Sequence, residues 1–163
     1  MESRFKILPL IGFVVALSGA LCLAATNEKG SLSASDRAFM KAAAKGGEME
    51  VAMGNIASQN ATSADVKSFG QRMVTDHSKA NGELKSIAEK KGVTLPTKNP
   101  TEKWTSDKAY MNSMVEDHEK DLAEFQKEAS ETNDPDLKQF ANETAKLIQQ
   151  HLDLAKETQG KLR

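Results

Sequence analysis

Three histidines are the side chains of this 163-residue chain best suited to chemistry at one shared site. His77 ends the pentapeptide MVTDH, His118 ends the closely similar MVEDH, and His151 stands alone in QQHLDLAK. Neutral imidazole nitrogen is a common ligand of Zn²⁺ and other transition metals. The near-repeat of one pentapeptide therefore raises the question of whether all three histidines reach the same place.

Each histidine occupies a position on the apolar stripe of a predicted helix, where residues recur at spacings of three and four. Met73 and Met114 lie one turn before the first two histidines on the same stripes. A preceding helix adds a carboxylate, because its best stripe turns Glu50 inward. That stripe consists of Phe39, Ala43, Gly46, Glu50, Met53 and Ala57. The pattern predicts three imidazoles and one carboxylate that face a common core.

Signals for helix starts and stops divide the chain after residue 33 into four helices. Two capping-box pairs, Ser33 with Asp36 and Thr62 with Asp65, mark the starts of the first two helices. Ser106 or Asp107 marks the third start, and Asp134 followed by Pro135 marks the fourth. Gly92 suits the left-handed backbone conformation that is common just after the end of a helix. Four helices of about 25 residues with short turns indicate an all-α four-helix bundle. The sequence does not decide whether the longer connection at 92–105 is a crossover.

The four candidate side chains are expected at similar depth in this bundle. At 1.5 Å per residue, counting from the predicted turns separates His118 from His151 by about 4 to 5 Å along the axis. The same count separates Glu50 from His77 by about 7 to 8 Å. All four side chains could therefore converge near the middle of the bundle.

Asp76 and Asp117 directly precede two of the histidines and point about 100° away from them around the helix. One interpretation is that each aspartate accepts an imidazole N–H from an adjacent helix and so orients a metal ligand. The other is that each is solvated at the edge of the stripe. The sequence leaves both open.

The first residues predict a cleaved secretory signal peptide. Arg4 and Lys6 precede an apolar run and then small residues, with Ala24 suited to the cleavage site. The chain would then divide into a signal peptide at 1–24, a linker at 25–34 and a four-helix-bundle domain at 35–163.

A retained anchor and a lipoprotein signal cut before Cys22 are the alternatives. The apolar run barely reaches the roughly 20 residues that an anchor needs, and Leu21 is not the small residue that lipid attachment favours. Removal of the signal would also remove the one cysteine. A formal net charge of −1 without a basic patch predicts no nucleic-acid partner.

Several segments together resemble one family. They are SDRAFMKAAAKGGEMEVAMGNIA, VKSFGQRMVTDH, AYMNSMVEDHEKDLAEF and DLKQFANETAKLIQQHLDLAK. The chain resembles the exported ferritin-like proteins grouped as domain of unknown function family 4142, often labelled outer membrane proteins. The resemblance implies a ferritin-like bundle and a periplasmic or outer-membrane-associated location, with peripheral association with the bacterial envelope. By motif position it singles out Glu50, His77, His118 and His151.

The chain departs from di-iron bundles, which carry Glu-x-x-His motifs. The residues three positions before the histidines are Val74, Val115 and Ile148. Ferroxidase or oxygenase chemistry is therefore not predicted. The sequence also shows no phosphate-binding loop and no nucleophile motif, and we do not predict an enzyme.

Two functions remain. In the first, the buried Glu/His cluster is a hydrogen-bonded network in an envelope protein that serves as a structural or stress-related binding module. In the alternative, three histidines and Glu50 hold one divalent transition-metal ion, Zn²⁺, Mn²⁺, Fe²⁺ or Cu²⁺. Met73 and Met114 could add thioether ligands for Cu(I).

Overall fold

The computed structural model describes residues 31–97 and 103–162. Over these ranges the chain forms four α-helices and no strand: α1 Ala34–Asn60, α2 Ala64–Lys91, α3 Asp107–Glu131 and α4 Pro135–Lys161. The prediction of an all-α four-helix bundle is confirmed. The predicted signal peptide lies outside the described residues. None of the four helices has a stretch long and apolar enough to cross a membrane.

Local capping explains where most helices begin and end. The Ser33 hydroxyl accepts the backbone N–H of Asp36, and the Asp36 carboxylate accepts the N–H of Ser33 at 2.7 Å, which completes the predicted capping box. Asp134 caps α4 directly before Pro135. Gly92 ends α2 with a φ of 65°, in the left-handed region that favours glycine. These predictions are confirmed.

The predicted cap of α2 is wrong. Its N-cap residue is Ser63, whose side chain makes no capping hydrogen bond. Thr62 instead donates both its N–H and its hydroxyl to the carboxylate of Asp107, the hydroxyl at 2.8 Å. The Ser63 N–H donates to the same carboxylate at 2.7 Å. A contact between residues 45 positions apart therefore replaces the local cap.

The stripe predicted for α1 is correct at Glu50 and Ala57 and shifted elsewhere. The predicted positions Phe39, Ala43, Gly46 and Met53 are only partly buried. Their neighbours Met40, Ala44, Gly47 and Gly54 are buried instead. Much of this helix is alanine and glycine, so side-chain size gives little indication of which face turns inward.

The connection between α2 and α3 is a crossover. Asp107 places the start of α3 beside Thr62, at the turn between α1 and α2. Lys91 forms a salt bridge with Asp134, which places the end of α2 beside the turn between α3 and α4. The segment 92–106 therefore joins opposite ends of the bundle, and α2 and α3 run parallel. This is the one long connection typical of ferritin-like bundles.

The helices pair as two hairpins. α1 packs along α2 and α3 along α4, and the hairpins meet through α2 against α4 and α1 against α3. One apolar cluster, around Phe69 and Tyr110, fills the end nearer the α1–α2 turn. A second, around Phe125 and Phe140, fills the other end. On each of α2, α3 and α4 the histidine lies between the residues of the two clusters.

Candidate metal centre

Three histidines from three helices meet between the two apolar clusters. His77 on α2 is 5% exposed, and His118 on α3 and His151 on α4 are fully buried. One ring nitrogen of each lies within 4.8 Å of those of the other two. The ring centroids are 5.2 to 5.8 Å apart. The convergence that the helical stripes predicted is thus present in the fold.

Hydrogen bonds to groups outside the cluster fix two of the imidazole tautomers. His118 Nδ1 lies 2.9 Å from the Met114 carbonyl oxygen, which can only accept, so Nδ1 donates. His151 Nε2 lies 2.9 Å from Asp76 Oδ2, and it donates for the same reason when the carboxylate is ionised. In the neutral rings, the remaining nitrogens, His118 Nε2 and His151 Nδ1, therefore carry lone pairs.

These lone pairs have no hydrogen-bond partner among the described residues, and neither has Nε2 of His77. Two acceptors cannot bond to each other. His118 and His151 therefore need an electrophile or a hydrogen-bond donor between them, such as a metal ion or a water molecule. A buried polar atom without a partner costs about 1–3 kcal/mol.

Burial keeps the histidines neutral at physiological pH. It lowers the pKa of His77 to about 3, and the nearby His151 and His118 rings lower it further. Burial also lowers the pKa of His118, to about 4. It lowers that of His151, although the hydrogen bond to Asp76 opposes the change. Neutral imidazole is the form that ligates metal ions.

Asp76 is held in place by groups from two helices. Arg72, one turn earlier on α2, donates to Asp76 Oδ2 at 3.2 Å and to Gln150 on α4 at 3.1 Å. Partial burial raises the pKa of Asp76, but the hydrogen bonds from His151 and Arg72 outweigh it and hold the pKa below its ordinary value. An ionised carboxylate on the outer nitrogen of a ligating histidine is the usual arrangement in metal sites.

The sequence reasoning missed Arg72 and Gln150. The signal for Arg72 was present, because Arg72 and Asp76 are four residues apart on one helix. Nothing in the sequence indicates Gln150, which reaches the group only because α4 packs against α2.

Asp117 is placed differently from Asp76. Its side chain is 52% exposed and lies 3.9 Å from Lys120 on the outer face of α3. This position corresponds to the solvated alternative considered for it.

Glu50 is buried beside the cluster. Its Oε1 lies 3.9 Å from Nδ1 of His118, the nitrogen that donates to the Met114 carbonyl oxygen. Among the described residues, the three histidines form the group whose possible ligand atoms lie within 4.8 Å of one another. A direct bond from Glu50 to a metal ion therefore stays a prediction. Burial, and then the charges of Asp121 and Asp117, raise the pKa of Glu50 to about 8. Glu50 therefore holds a proton at neutral pH.

Comparisons with known proteins agree with the fold. The crystal structure of a DUF305 fragment from Deinococcus radiodurans is similar, with a TM-score of 0.68 and 9% sequence identity, over 81% of this chain and 99% of that one. No curated protein matches the sequence. The model of the family described as "Domain of unknown function (DUF4142)" matches residues 22–158. The chain therefore belongs to the DUF4142 family.

Proposed function

We propose that the protein binds one divalent transition-metal ion through His77, His118 and His151. Two observations carry the proposal. Each of the three buried histidines has a ring nitrogen without a hydrogen-bond partner among the described residues, and one ring nitrogen of each lies within 4.8 Å of those of the other two. On two of the rings, outward hydrogen bonds leave a lone pair on the inward nitrogen, which is the chemistry that a metal ligand requires.

Charge balance supports a divalent ion. Three neutral imidazoles leave the charge of a bound M²⁺ uncompensated in a buried site. Asp76 is ionised and hydrogen-bonded to His151, and Glu50 can release its proton when a cation binds. These two carboxylates together would neutralise the ion.

The donor set favours Zn²⁺ and Cu²⁺ over Mn²⁺. Imidazole suits zinc and copper, whereas manganese prefers oxygen ligands. Met73 and Met114 are buried in the adjacent apolar cluster, so their packing accounts for them without ligation. The ligand positions left free by three histidines are open to Glu50 or to water.

The competing function is the buried polar network in a structural or stress-related envelope module. A water molecule could donate one hydrogen bond to His118 and one to His151 and accept one from a protonated His77 Nε2. The same atoms would then fix the packing of the bundle without a metal ion.

Metal analysis distinguishes the two functions. The mature chain would be purified without an affinity tag, loaded with Zn²⁺ or Cu²⁺, desalted and analysed by elemental mass spectrometry. We expect one ion per chain in the wild type and none in a folded His118→Ala variant. Asp117→Asn, at the neighbouring exposed position, is the control and should keep the ion. A folded wild type that takes up neither ion would contradict the proposal and favour the network.

We further propose that the protein acts in the bacterial envelope after removal of residues 1–24. The proposal rests on the signal-like composition of this segment. Intact mass measurement of the chain recovered from a periplasmic fraction should give a start near Ala25. Recovery of the full-length chain in the cytoplasm alone would contradict export, and a lipidated Cys22 would contradict this cleavage site.

A further inference from the structure

A narrow, partly open cavity of about 40 Å³ has one histidine of the cluster, His77, in its lining. It lies between α1 and α3, and residues of all four helices line it. Glu124 in its lining is exposed and Asp121 is partly buried. His77 is 5% exposed. The cavity thus extends from an acidic mouth to a buried ring whose Nε2 has no hydrogen-bond partner among the described residues.

Gly46 lines this cavity and borders open space. A Cβ at Gly46 would have no heavy atom within 4 Å, apart from the backbone and neighbours of its own helix. The next residue, Gly47, is different, because a Cβ there would lie 2.0 Å from Oδ1 of Asn81. Gly47 therefore serves packing, whereas a side chain at Gly46 would project into space that is now open.

The mouth of the cavity is negatively charged. Asp121 and Glu124 are one turn apart on α3 and both line the cavity. Burial, followed by the charges of Glu124 and Asp117, raises the pKa of Asp121 to about 6. Asp121 is therefore still ionised above pH 7. A narrow acidic opening with low-dielectric walls concentrates cations and speeds their association.

The other sides of the histidine cluster are closed. On the side of α2 and α4, Arg72 bonds both Asp76 and Gln150 across the groove. The cavity at that groove is lined by three acidic and two basic residues, and no histidine is among its lining residues. The charged residues are Asp76, Glu83, Glu143, Lys79 and Lys146. The two apolar clusters fill the ends of the bundle.

We infer that metal ions reach the histidine cluster through the cavity between α1 and α3, with Asp121 and Glu124 as the attracting groups and Gly46 as the residue that keeps it open. The inference rests on the proposed metal site. At roughly 10–15 Å³ for each water-sized site, the cavity has room for only a few water molecules. It admits a small, partly dehydrated cation and excludes organic ligands.

Kinetics of metal exchange test the inference. Zn²⁺ association with the metal-free chain, and its release to EDTA, would be followed at pH 7.5 by stopped flow with a chromophoric chelator. A plug in an access route raises the barrier in both directions and leaves the equilibrium unchanged. Gly46→Leu should therefore slow association and release by a similar factor of about ten or more, with the Kd within about twofold of the wild type.

Gly82→Leu is the matched control. Gly82 is also a helical glycine with open space around its Cβ, but it does not line this cavity. Its leucine variant should exchange Zn²⁺ at the wild-type rates. If a folded Gly46→Leu variant binds and releases Zn²⁺ as fast as the wild type, the route is refuted although the metal site stands. If the wild type binds no metal, the metal site itself fails and the route fails with it.

A charge variant decides the question independently of the plug. The double variant Asp121→Asn with Glu124→Gln should slow association several-fold at 20 mM salt, with little difference from the wild type at 500 mM, because screening removes attraction between exposed charges. Equal association rates in the variant and the wild type at low salt would overturn the role of these carboxylates. The double charge variant still tests the access route if the Gly46→Leu variant fails to fold.

Discussion

Asp76 and Asp117 hold the same place in nearly identical pentapeptides, but their surroundings predict different effects on metal binding. Asp76→Asn removes the charge that orients His151, so metal affinity should fall about 10- to 100-fold. Asp117→Asn should leave affinity within about twofold of the wild type, because Asp117 lies beside Lys120 on the outer face. Competition titration with a chromophoric chelator measures both. Equal losses in the two variants would contradict the assigned role of Asp76.

The buried histidines predict that the metal-free protein loses stability in mild acid. Their pKa values in the folded chain lie below the ordinary 6.5, at about 3 for His77 and about 4 for His118. As pH falls below 6.5, the unfolded chain takes up protons that the folded chain does not. Each such proton lowers the free energy of unfolding by about 1.4 kcal/mol per pH unit.

Glu50, Glu128 and Asp121 oppose this trend, because burial raises their pKa values to about 8, 7 and 6. The histidine contribution is therefore measured as a difference between two proteins. From pH 6.5 to 4.5 the free energy of unfolding of the metal-free wild type should decrease more than that of a folded His77→Gln variant, measured by urea denaturation after EDTA treatment. Equal profiles in the two proteins would mean that His77 titrates normally in the folded chain.

Glu50 predicts the opposite slope on the alkaline side. Its pKa is raised from 4.5 to about 8 in the folded chain, so the stabilising proton is fully present below pH 4.5 and lost as pH rises through 8. Between pH 6.5 and 8 the metal-free wild type should lose up to about 1.4 kcal/mol per pH unit. Glu50→Gln cannot ionise at this position, so its slope there should be smaller than that of the wild type by this amount. The same slope in both proteins would assign the titration to another group.

The convergence of the three histidines could be predicted from the sequence, whereas the contacts around them could not. His77, His118 and His151 each take a place in an apolar stripe, and stripe position depends only on helical periodicity. The Asp76–His151 bond depends on which helices are neighbours. That order is set by packing over the whole bundle, and the pattern of a single helix does not contain it.

At the scale of helices, the close approach of α1 and α2 predicts a penalty for one methyl group. A Cβ on Gly70 would lie 2.7 Å from the Gly54 carbonyl oxygen and 3.0 Å from the Ser58 nitrogen. Backbone atoms cannot move aside as a flexible side chain would, so Gly70→Ala should destabilise the fold by about 1–3 kcal/mol.

Gly82→Ala on the same helix is the matched comparison. A Cβ at Gly82 meets open space, so the alanine variant should be more stable by up to about 1 kcal/mol through helix propensity. Chemical denaturation of both variants gives the two values. A Gly70→Ala protein as stable as Gly82→Ala would show that the helices can separate at little cost.

Helix ends could be predicted where the signal is local. Ser33, Gly92 and Asp134 act through residues within one turn, and all three predictions held. Thr62 failed because Asp107, on the far side of the crossover, takes its hydrogen bonds. The face of α1 was assigned only in part, because small residues there pack by close approach and leave a weak apolar pattern.

For the whole molecule, the proposed metal site predicts that stability depends on the metal ion. An ion that binds only the folded state at 100 times its Kd adds about 2.7 kcal/mol to the free energy of unfolding. Zn²⁺ should therefore raise the Tm of the wild type, and excess EDTA at neutral pH should reverse the change. The His118→Ala variant should show neither effect. A Tm that responds equally in both proteins would indicate binding elsewhere on the chain.

The crossover has a further consequence, because it makes α2 and α3 parallel at opposite corners of the bundle, with α1 and α4 parallel at the other two. A rotation of 180° about the bundle axis therefore superposes α2 on α3 and α4 on α1, so the bundle has approximate twofold symmetry. It exchanges positions in pairs: His77 with His118, Asp76 with Asp117, and His151 with Glu50.

Glu50 thus stands where perfect symmetry would put a fourth imidazole. The broken symmetry also gives the bundle two unlike sides. On one side hydrogen bonds from His151 and Arg72 hold Asp76 ionised, while on the other burial keeps Glu50 protonated at neutral pH, so the two sides of the histidine cluster differ in charge.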